Sequence, residues 1–151
     1  MTETAKSPLF AERQTIEQVE EGDRLAPKFD ADGLIPVITT DYESGELLMH
    51  GYMTAEALEN TIRDGEAWYF SRSRKVLWHK GATSGLVQKV VEMRIDDDQD
   101  AVWLRVRVVG DASYHVGYRS CFYRSVPTGA DPASAKEPLK LAFEEHEKTF
   151  D

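Results

Sequence analysis

Alternating apolar and polar residues predict a set of β-strands in the second half of the chain. The stretches "EAWYFSR", "LVQKVVEMRI", "AVWLRVRVVG" and "SCFYRSV" are rich in valine, isoleucine and aromatic residues and are separated by Gly, Asp or Ser. In the third stretch every second residue from Val102 to Val108 is apolar, and Trp103, Arg105 and Arg107 stand between them. One face of this strand should be buried and the other solvated, which favours a mostly antiparallel sheet.

Residues 55 to 64 show the spacing of a helix instead. Ala57, Leu58 and Ile62 fall on one face of "AEALENTIRDG". Thr54 is suited to the N-cap position, and Gly65 to the stop after the last turn. Just before this helix, "GLIPVITTDYESGELLMHGYM" places apolar β-formers on both sides of a Ser-Gly turn and predicts a β-hairpin.

The two ends of the chain show weaker patterns. Residues 8–22 predict a short amphipathic helix that packs on the domain, with Phe10, Ile16 and Val19 on one stripe and Gly22 as its end. Residues 127–151 predict a proline-containing loop followed by a short helix in "LKLAFEEHEKTF". The predicted fold class is α+β: a compact, mostly antiparallel and β-rich domain with a hairpin, one well-capped helix and short terminal helices.

Composition and charge limit the classes of protein that fit. The 151 residues are expected to form one domain with its core at about 30–126, since 41% of residues are hydrophobic and 30% charged. A formal charge of -9 argues against a nucleic-acid partner, because phosphate-backbone affinity requires surplus Lys and Arg. One Cys cannot form an internal disulfide, and no window approaches the ~20 apolar residues of a membrane span. We therefore expect a cytoplasmic protein with no membrane partner.

An acidic cluster, "RIDDDQD", lies between two of the predicted strands. Three interpretations are open for its carboxylates: a tight turn, a site for a hard cation such as Mg²⁺, or both. If the strand persists, Asp96, Asp98 and Asp100 leave from one face and Asp97 from the other. Because holding this much like charge together is costly without a cation, the metal interpretation is somewhat favoured.

A basic segment, "FSRSRKVLWHKGATSG", stands out in this acidic chain. Arg72, Arg74, Lys75 and Lys80 fall within nine residues, and "GATSG" supplies hydroxyls and free backbone N–H groups. These groups suit a phosphate. A solvated basic edge strand explains the same residues equally well. Trp78 is suited either to stacking on a ligand or to the core.

The stretch "YHVGYRSC" contains His115 and the chain's single Cys, Cys121. Taken alone, a lone His is more often a satisfied core or surface group, and a lone Cys more often a small buried hydrophobe. These two residues therefore indicate a functional site only in combination with the other motifs.

Together, these motifs resemble the phosphoribosyl-AMP cyclohydrolase family of histidine biosynthesis. The resemblance covers about residues 30–126 and is carried by "GLIPVITTD", "GELLMHGYMTAEALENTIRDGEAWYFSRSRKVLWHKGATSG", "QKVVEMRIDDDQDAVWLRV" and "HVGYRSCFYR". It implies an intertwined, β-rich homodimer with Zn²⁺- and Mg²⁺-containing active sites at the subunit interface. The substrate is N1-(5-phosphoribosyl)-AMP, a small phosphorylated nucleotide, whose adenine ring is opened by hydrolysis at the N1–C6 bond.

The resemblance also implies the metal ligands. Mg²⁺ falls to Asp96, Asp98 and Asp100, and one Zn²⁺ ligand falls to Cys121. The family's two other zinc cysteines are replaced, one by Asp97, which would come from the partner subunit, and one by Tyr114. The ligands left for Zn²⁺ are Asp97, Cys121 and, in addition, His115. Such a mixed site should bind Zn²⁺ less tightly than three thiolates do, or accept another divalent metal.

The implied mechanism adds a metal-activated hydroxide to C6, with His115 as the proton-transfer group if it is not a ligand. Two alternatives remain: a non-catalytic paralogue that binds a nucleotide or metal as a sensor or accessory subunit, and a related metal-dependent hydrolase for another purine-like substrate. The expected substrate-binding residues are those of the basic segment and one arginine beside the thiol: Arg72, Arg74, Lys75, Trp78, Lys80, Thr83, Ser84, Gly85 and Arg119.

Overall fold

The computed structural model of the chain describes residues 7–83, 85–109 and 120–144. Within these residues, neither helix has the length and apolar character needed to cross a membrane. The elements, in chain order, are α1 (Ile16–Glu21), β1 (Ile35–Asp41), β2 (Leu47–Met53), α2 (Ala55–Asp64), β3 (Trp68–Ser71), β4 (Val76–His79), β5 (Val87–Ile95), β6 (Val102–Val109), β7 (Arg124–Ser125) and β8 (Ala142–Phe143).

The main sheet has four strands in the order β2-β1-β6-β5. The predicted hairpin forms β1 and β2, which pair antiparallel, and β5 and β6 also pair antiparallel. Strands β1 and β6 pair parallel. Strands β3 and β4 form a separate antiparallel hairpin, which meets β5 through a bridge between Glu66 and Lys89. The α+β, mostly antiparallel prediction is confirmed, although β4 was not predicted.

The core lies on one face of the main sheet and is closed by β3 and α2. Val102, Leu104 and Val106 are buried as predicted from their alternation, whereas Val108 is exposed near the end of β6. Burial of these side chains removes apolar surface from water and is the main driving force for the domain.

Helix α2 has the predicted ends. The Thr54 hydroxyl accepts a hydrogen bond from the backbone N–H of Ala57 at 3.2 Å, and Gly65 adopts the left-handed conformation with φ of 69°. Ala57 and Leu58 are buried. Ile62 was predicted on the same face but is 38% exposed. The buried stripe continues instead through Thr61, whose hydroxyl accepts a hydrogen bond from the Trp68 backbone N–H and thereby ties the helix to β3.

The N-terminal helix is shorter than predicted. Helix α1 begins at Ile16 because Thr15 and Gln18 form a capping box there. Phe10 and Val19 are buried, but Ile16 is 76% exposed and does not share their stripe. Phe10 precedes the helix, at the end of a turn closed by its backbone N–H to the Ser7 carbonyl, and packs on Phe29 with 6.1 Å between ring centroids.

The helix predicted in "LKLAFEEHEKTF" is wrong where the structure describes it. Ala142 and Phe143 form β8 and pair with β7, so the predicted strand around "SCFYRSV" is reduced to Arg124 and Ser125. The Phe143 ring packs on Tyr123 at 5.8 Å. This ring contact, together with two strand pairs, stabilises an extended chain in place of a short helix. Residues 145–151 lie outside the described part of the chain.

A buried hydroxyl ties the β3–β4 hairpin to the main sheet. Tyr69 on β3 donates to the Gln88 Oε1 atom on β5 at 2.6 Å, and its oxygen lies 2.7 Å from the Thr39 hydroxyl on β1. Burial raises the pKa of the Tyr69 phenol, so it remains protonated and can donate. All three side chains are buried, and the Tyr69 hydroxyl is the hydrogen-bond partner of both Thr39 and Gln88.

We expect Tyr69→Phe to lower the free energy of unfolding by about 1 to 3 kcal/mol, because Gln88 and Thr39 lose a partner in a buried place. Urea unfolding followed by circular dichroism measures this change. The control is Tyr42→Phe, at a half-buried tyrosine, which should change stability by less than about 0.5 kcal/mol. Equal effects of the two substitutions would contradict the role given to the Tyr69 hydroxyl.

Candidate metal and substrate site

The four aspartates lie in a turn and not on a continued strand. Strand β5 ends at Ile95, and the backbone N–H of Asp96 donates to the Ala101 carbonyl at 3.1 Å. The N–H of Gln99 closes the turn by donating to the Asp96 carbonyl at 3.0 Å, with Gln99 in the left-handed region at φ of 57°. The strand does not persist through the aspartates, so the condition for alternate side chains to share one face is not met, and the turn interpretation describes the backbone.

The turn brings the carboxylates together all the same. Asp96, Asp97 and Asp98 each offer an oxygen, and these three atoms lie within 4.8 Å of one another. The Asp100 carboxyl hydrogen-bonds to those of Asp96 and Asp98, which raises the pKa of Asp100 to about 6. A group of carboxylate oxygens this close suits a hard divalent cation such as Mg²⁺. The predicted Mg²⁺ residues are therefore neighbours, and Asp97 is beside them.

Hydrogen bonds hold one carboxylate of the cluster in its charged form. Asp96 accepts from the backbone N–H groups of Asp100 at 2.9 Å and Ala101 at 3.1 Å. Desolvation acts to raise the pKa of Asp96, but hydrogen bonds from the Asp100 backbone, the Asp100 carboxyl and the Ala101 backbone together lower it. Two carboxyls of one turn thus have pKa values displaced in opposite directions, as expected where like charges are crowded.

Gln99 fixes this turn to the N-terminal segment. Its buried amide accepts from the Ala26 N–H at 2.7 Å and donates to the Val19 carbonyl at 2.8 Å. A cavity of 320 Å³ opens beside Asp98, between this turn and α1, and is also lined by Arg13 and Lys28. Nothing in the sequence marked Gln99, because a glutamine among aspartates looks like one more solvated residue.

Cys121 is exposed, which excludes the role of a small buried hydrophobe. Its backbone N–H donates to the Leu48 carbonyl at 2.7 Å. The preceding residue, Ser120, is buried, and its hydroxyl donates to the Leu47 carbonyl at 2.6 Å while accepting from the Phe122 N–H at 2.9 Å. These bonds hold the thiol beside the first residues of β2. Ser120 was not singled out in the sequence.

The basic residues fall into two groups. Arg72, Arg74 and Lys75 lie in or beside the β3–β4 turn, whereas Lys80 follows the other end of β4. Since β4 has four residues, the two groups are about 13 Å apart along the strand. The two groups therefore leave the backbone at opposite ends of β4. The Arg72 guanidinium also lies over the Tyr52 ring, 4.0 Å from its centroid.

Lys80 lies near both Trp78 and Cys121. Its Nζ atom is 5.3 Å from the Trp78 ring centroid, and Trp78 is 41% exposed, which excludes a fully buried core role. Burial lowers the pKa of Lys80, while the neighbouring Cys121 side chain acts in the opposite direction. The two side chains are therefore close enough to interact electrostatically.

His79 anchors the strand that carries these residues. Its ring stacks on Trp68 with 4.6 Å between centroids, and its Nε2 atom lies 2.9 Å from Glu66. Glu66 also faces Lys89 on β5 at 3.6 Å. The contacts fix the end of β4 just before Lys80, so His79 positions the candidate binding residue without belonging to the site itself. The sequence contained no signal for this contact, because Trp68 and His79 are far apart along the chain.

The loop after Lys80 turns back tightly. Gly81 has φ of 92°, and the backbone N–H of Gly85 donates to its carbonyl at 2.8 Å. A Cβ atom at residue 81 would meet the Leu86 carbonyl at 2.5 Å. Thr83 and Gly85 are exposed in this loop. Four predicted site residues lie outside the described part of the chain: Ser84, Tyr114, His115 and Arg119.

The aspartate turn and Cys121 lie at opposite ends of the main sheet. The turn precedes Val102, which pairs with Val37 on β1. Cys121 is bonded to Leu48, next to the pair of Leu47 with Thr40. Three residues of β1 separate these levels, which is about 10 Å along the strand before the length of the turn is added. Asp97 and Cys121 of one chain therefore do not share a metal ion.

These features define a class: a small α+β domain with a cluster of carboxylates in one turn and a separate thiol beside a lysine. A family model described as phosphoribosyl-AMP cyclohydrolase matches residues 49–123. Three relatives have the same name. One from Rhodopseudomonas palustris (strain HaA2) is 55% identical over 90% of this chain and 88% of its own length. One from strain BisA53 of the same species is 58% identical over 82% of this chain and 82% of its own length. One from Bradyrhizobium diazoefficiens is 52% identical over 89% of this chain and 91% of its own length.

The chain therefore belongs to the phosphoribosyl-AMP cyclohydrolase family, and the resemblance of its motifs to that family is confirmed. The relatives are matched across nearly their whole length, so the likeness extends well beyond the motifs of the site. Family members are hydrolases by name.

We expect Gly81→Ala to destabilise the protein and to reduce its turnover, because a Cβ atom there collides with backbone that cannot move easily. Gly45→Ala is the matched control: φ is 78° there, but nothing lies within 4 Å of the added Cβ. The control should lower the free energy of unfolding by about 1 to 2 kcal/mol, because of the left-handed backbone alone. Gly81→Ala should lower it by clearly more. Chemical unfolding and steady-state kinetics measure both. Equal stability of the two variants would contradict the close approach at Gly81.

Proposed function

We propose that this protein is a phosphoribosyl-AMP cyclohydrolase acting in histidine biosynthesis, in the cytoplasm. It hydrolyses the N1–C6 bond of N1-(5-phosphoribosyl)-AMP and so opens the adenine ring. The observation that carries the proposal is the 55% identity over 90% of the chain to a relative with this name. The carboxylate cluster and the placement of the bases support it.

The aspartate turn is proposed to hold Mg²⁺. Its donors are carboxylate oxygens, three of which already lie within 4.8 Å of one another. The assigned ligands are Asp96, Asp98 and Asp100, with Asp97 left for another role. A bound Mg²⁺ offsets the mutual repulsion of the carboxylates and orients substrate oxygens or water. The turn itself supplies rigidity, because Gln99 fixes it to the N-terminal segment.

Cys121 is proposed to be a ligand of a second divalent metal, either Zn²⁺ or a metal of similar preference. A thiolate, a carboxylate and an imidazole are all suitable donors for Zn²⁺. The proposed partners of Cys121 are the Asp97 of a second copy and His115, with Tyr114 at a position where the family has a thiolate. When bound, such a metal lowers the pKa of a coordinated water to about 7.

The two basic groups are proposed to bind the two phosphates of the substrate. N1-(5-phosphoribosyl)-AMP carries one phosphate on each of its two ribose units, and the bases are separated by about 13 Å. Lys80 and the loop with Thr83, Ser84 and Gly85 are assigned to one phosphate. The exposed ring of Trp78 provides a surface for the purine. Arg72, Arg74 and Lys75 are assigned to the other phosphate, and Arg119 is a further candidate.

Within this site, His115 is proposed to transfer the proton needed for ring opening if it does not bind the metal, since an imidazole titrates near neutral pH.

A homodimer with active sites at the subunit interface is proposed as the functional unit. The positions of Asp97 and Cys121 at opposite ends of the sheet support it, because only a second copy can bring such residues together.

The test is ring opening of phosphoribosyl-AMP by the purified protein, followed by absorbance after removal of metals with a chelator. We expect turnover to disappear and to return when Zn²⁺ and Mg²⁺ are added together. No turnover with any added divalent metal would overturn the proposal in favour of a non-catalytic paralogue. Turnover with another N1-substituted purine, and none with phosphoribosyl-AMP, would instead indicate a different substrate.

Two substitutions test the two metal sites separately. Cys121→Ala should lower turnover by at least about 100-fold and reduce bound Zn²⁺, whereas Asp98→Asn should raise the Mg²⁺ concentration needed for activity. Metal content is measured by elemental analysis alongside the kinetics. The control is Glu137→Gln, since this carboxylate is exposed in the loop between β7 and β8 and lies outside the N-terminal segment that supports the aspartate turn. Full activity of Cys121→Ala would rule out its proposed role as a metal ligand.

A further inference from the structure

The side chain of Gln99 is buried, although its neighbours in the aspartate turn are charged. It is 5% exposed. Its amide accepts from the backbone N–H of Ala26 at 2.7 Å and donates to the carbonyls of Val19 at 2.8 Å and Arg24 at 3.3 Å. Both polar atoms of the amide are therefore satisfied by the backbone of the N-terminal segment, residues 7–28.

The backbone of Gln99 joins the turn to the same segment. Its N–H closes the turn by donating to the Asp96 carbonyl at 3.0 Å, and its carbonyl accepts from the Lys28 N–H at 2.7 Å. Its φ of 57° lies in the left-handed region, which is unfavourable for a residue with a side chain. Repulsion between the carboxylates also opposes this turn. The hydrogen bonds to the segment offset both effects.

The N-terminal segment has a second anchor at its other end. The Phe10 ring is buried in the main core, and the Ser7 hydroxyl donates to Glu59 on α2 at 2.6 Å. These contacts do not involve the aspartate turn. Loss of the Gln99 contacts would therefore loosen the part of the segment next to the turn and leave its start attached to the domain.

The docked segment supports the carboxylates without covering them. The cavity of 320 Å³ between α1 and the turn reaches Asp98. Asp96 and Asp97 are exposed on the same turn. A cation from solvent can therefore reach the cluster while the segment is docked.

We propose that Gln99 is a positioning residue for the proposed Mg²⁺ site, and that it couples docking of the N-terminal segment to the shape of the aspartate turn. The conformation that brings the carboxylates together is also the one in which the Gln99 amide reaches its backbone partners. Binding of Mg²⁺ therefore favours the docked segment, and docking strengthens Mg²⁺ binding by the same factor. The inference deepens the proposed function and rests on it for one point, the Mg²⁺ assigned to the turn.

Limited trypsin digestion of the full natural chain, stripped of metal with a chelator, is the first experiment. Gln99 holds the Arg24 carbonyl and the Ala26 N–H, so cleavage after Arg24 requires the segment to open. We expect saturating Mg²⁺ to slow this cleavage at least about 5-fold, because cleavage follows the fraction of open molecules. Cleavage after Lys140, exposed between β7 and β8, is the internal control and should not change.

Mass spectrometry identifies the cleaved bonds, and isothermal titration calorimetry measures Mg²⁺ binding to the same protein. Unchanged cleavage after Arg24 in a chain that binds Mg²⁺ would overturn the coupling. This measurement needs no variant, so it decides the question even where a substitution prevents folding.

The variant Gln99→Gly tests the coupling from the side of the turn, since glycine keeps the left-handed backbone but lacks the amide. We expect faster cleavage after Arg24, loss of the protection by Mg²⁺, and at least about 5-fold weaker Mg²⁺ binding. Lys75→Gly is the matched control, because Lys75 has the same φ of 57° but lies in the β3–β4 turn. It should change neither Mg²⁺ affinity nor cleavage after Arg24. A folded Gln99→Gly protein with the natural Mg²⁺ affinity would rule out the positioning role.

Turnover distinguishes this inference from the proposed function. A protein that opens the ring of phosphoribosyl-AMP and binds Mg²⁺ without protection of the bond after Arg24 overturns the coupling and leaves the enzyme assignment intact. A protein that is protected by Mg²⁺ as expected, but has no turnover with any metal, overturns the enzyme assignment alone. Absence of Mg²⁺ binding overturns the coupling together with the Mg²⁺ assignment, whatever the turnover.

Discussion

The buried hydroxyl of Tyr69 is the contact on which the arrangement of this domain most depends. It joins three strands that are not consecutive in sequence: β3 through Tyr69, β1 through Thr39 and β5 through Gln88. Because Tyr69 is the shared partner of Thr39 and Gln88 away from water, removal of its hydroxyl costs both of them a hydrogen bond. The β3–β4 hairpin carries Trp78 and Lys80, so this network also fixes where those two side chains stand relative to Cys121.

A second constraint is the repulsion within the aspartate turn. Four carboxylates are brought together by a tight turn, and the structure restrains this turn with a buried glutamine amide instead of with ion pairs. As a result, the pKa of Asp96 is lowered and that of Asp100 is raised. A divalent cation would balance the negative charge of such a cluster. The N-terminal segment, predicted from the sequence only to pack on the domain, therefore supports the turn that is proposed to bind the metal.

The sheet connects these two regions but also holds them apart. Parallel pairing of β1 with β6 sets the aspartate turn at one end and the thiol at the other. In the proposed enzyme, each of these two regions would form one part of an active site, and the geometry of the sheet sets the distance between them.

Local signals in the sequence were sufficient for the elements that depend on local interactions. The ends of α2 follow from the Thr54 cap and the Gly65 stop, the β1–β2 hairpin from its turn residues, and β5 and β6 from their apolar alternation. The family could be predicted as well, because motif order and spacing are properties of the chain itself.

Where tertiary contacts compete with local preference, the sequence was not enough. Ile16 and Ile62 have helical spacing but lie on solvent-facing sides, because Phe10, in the turn before α1, and Thr61 are the residues buried instead. The C-terminal segment "LKLAF" has helical character, yet pairing with β7 and packing against Tyr123 make its last residues a strand.

The composition of the candidate site was determined by the sequence, but its geometry was decided by the tertiary structure. Motifs named the aspartates, the basic residues and Cys121. The fold alone decided that the aspartates meet in a turn, that the bases divide into two groups, and that the thiol is exposed at the far end of the sheet. The physical reason is that these relations depend on strand pairing between residues far apart in the chain, and no local pattern encodes such pairing.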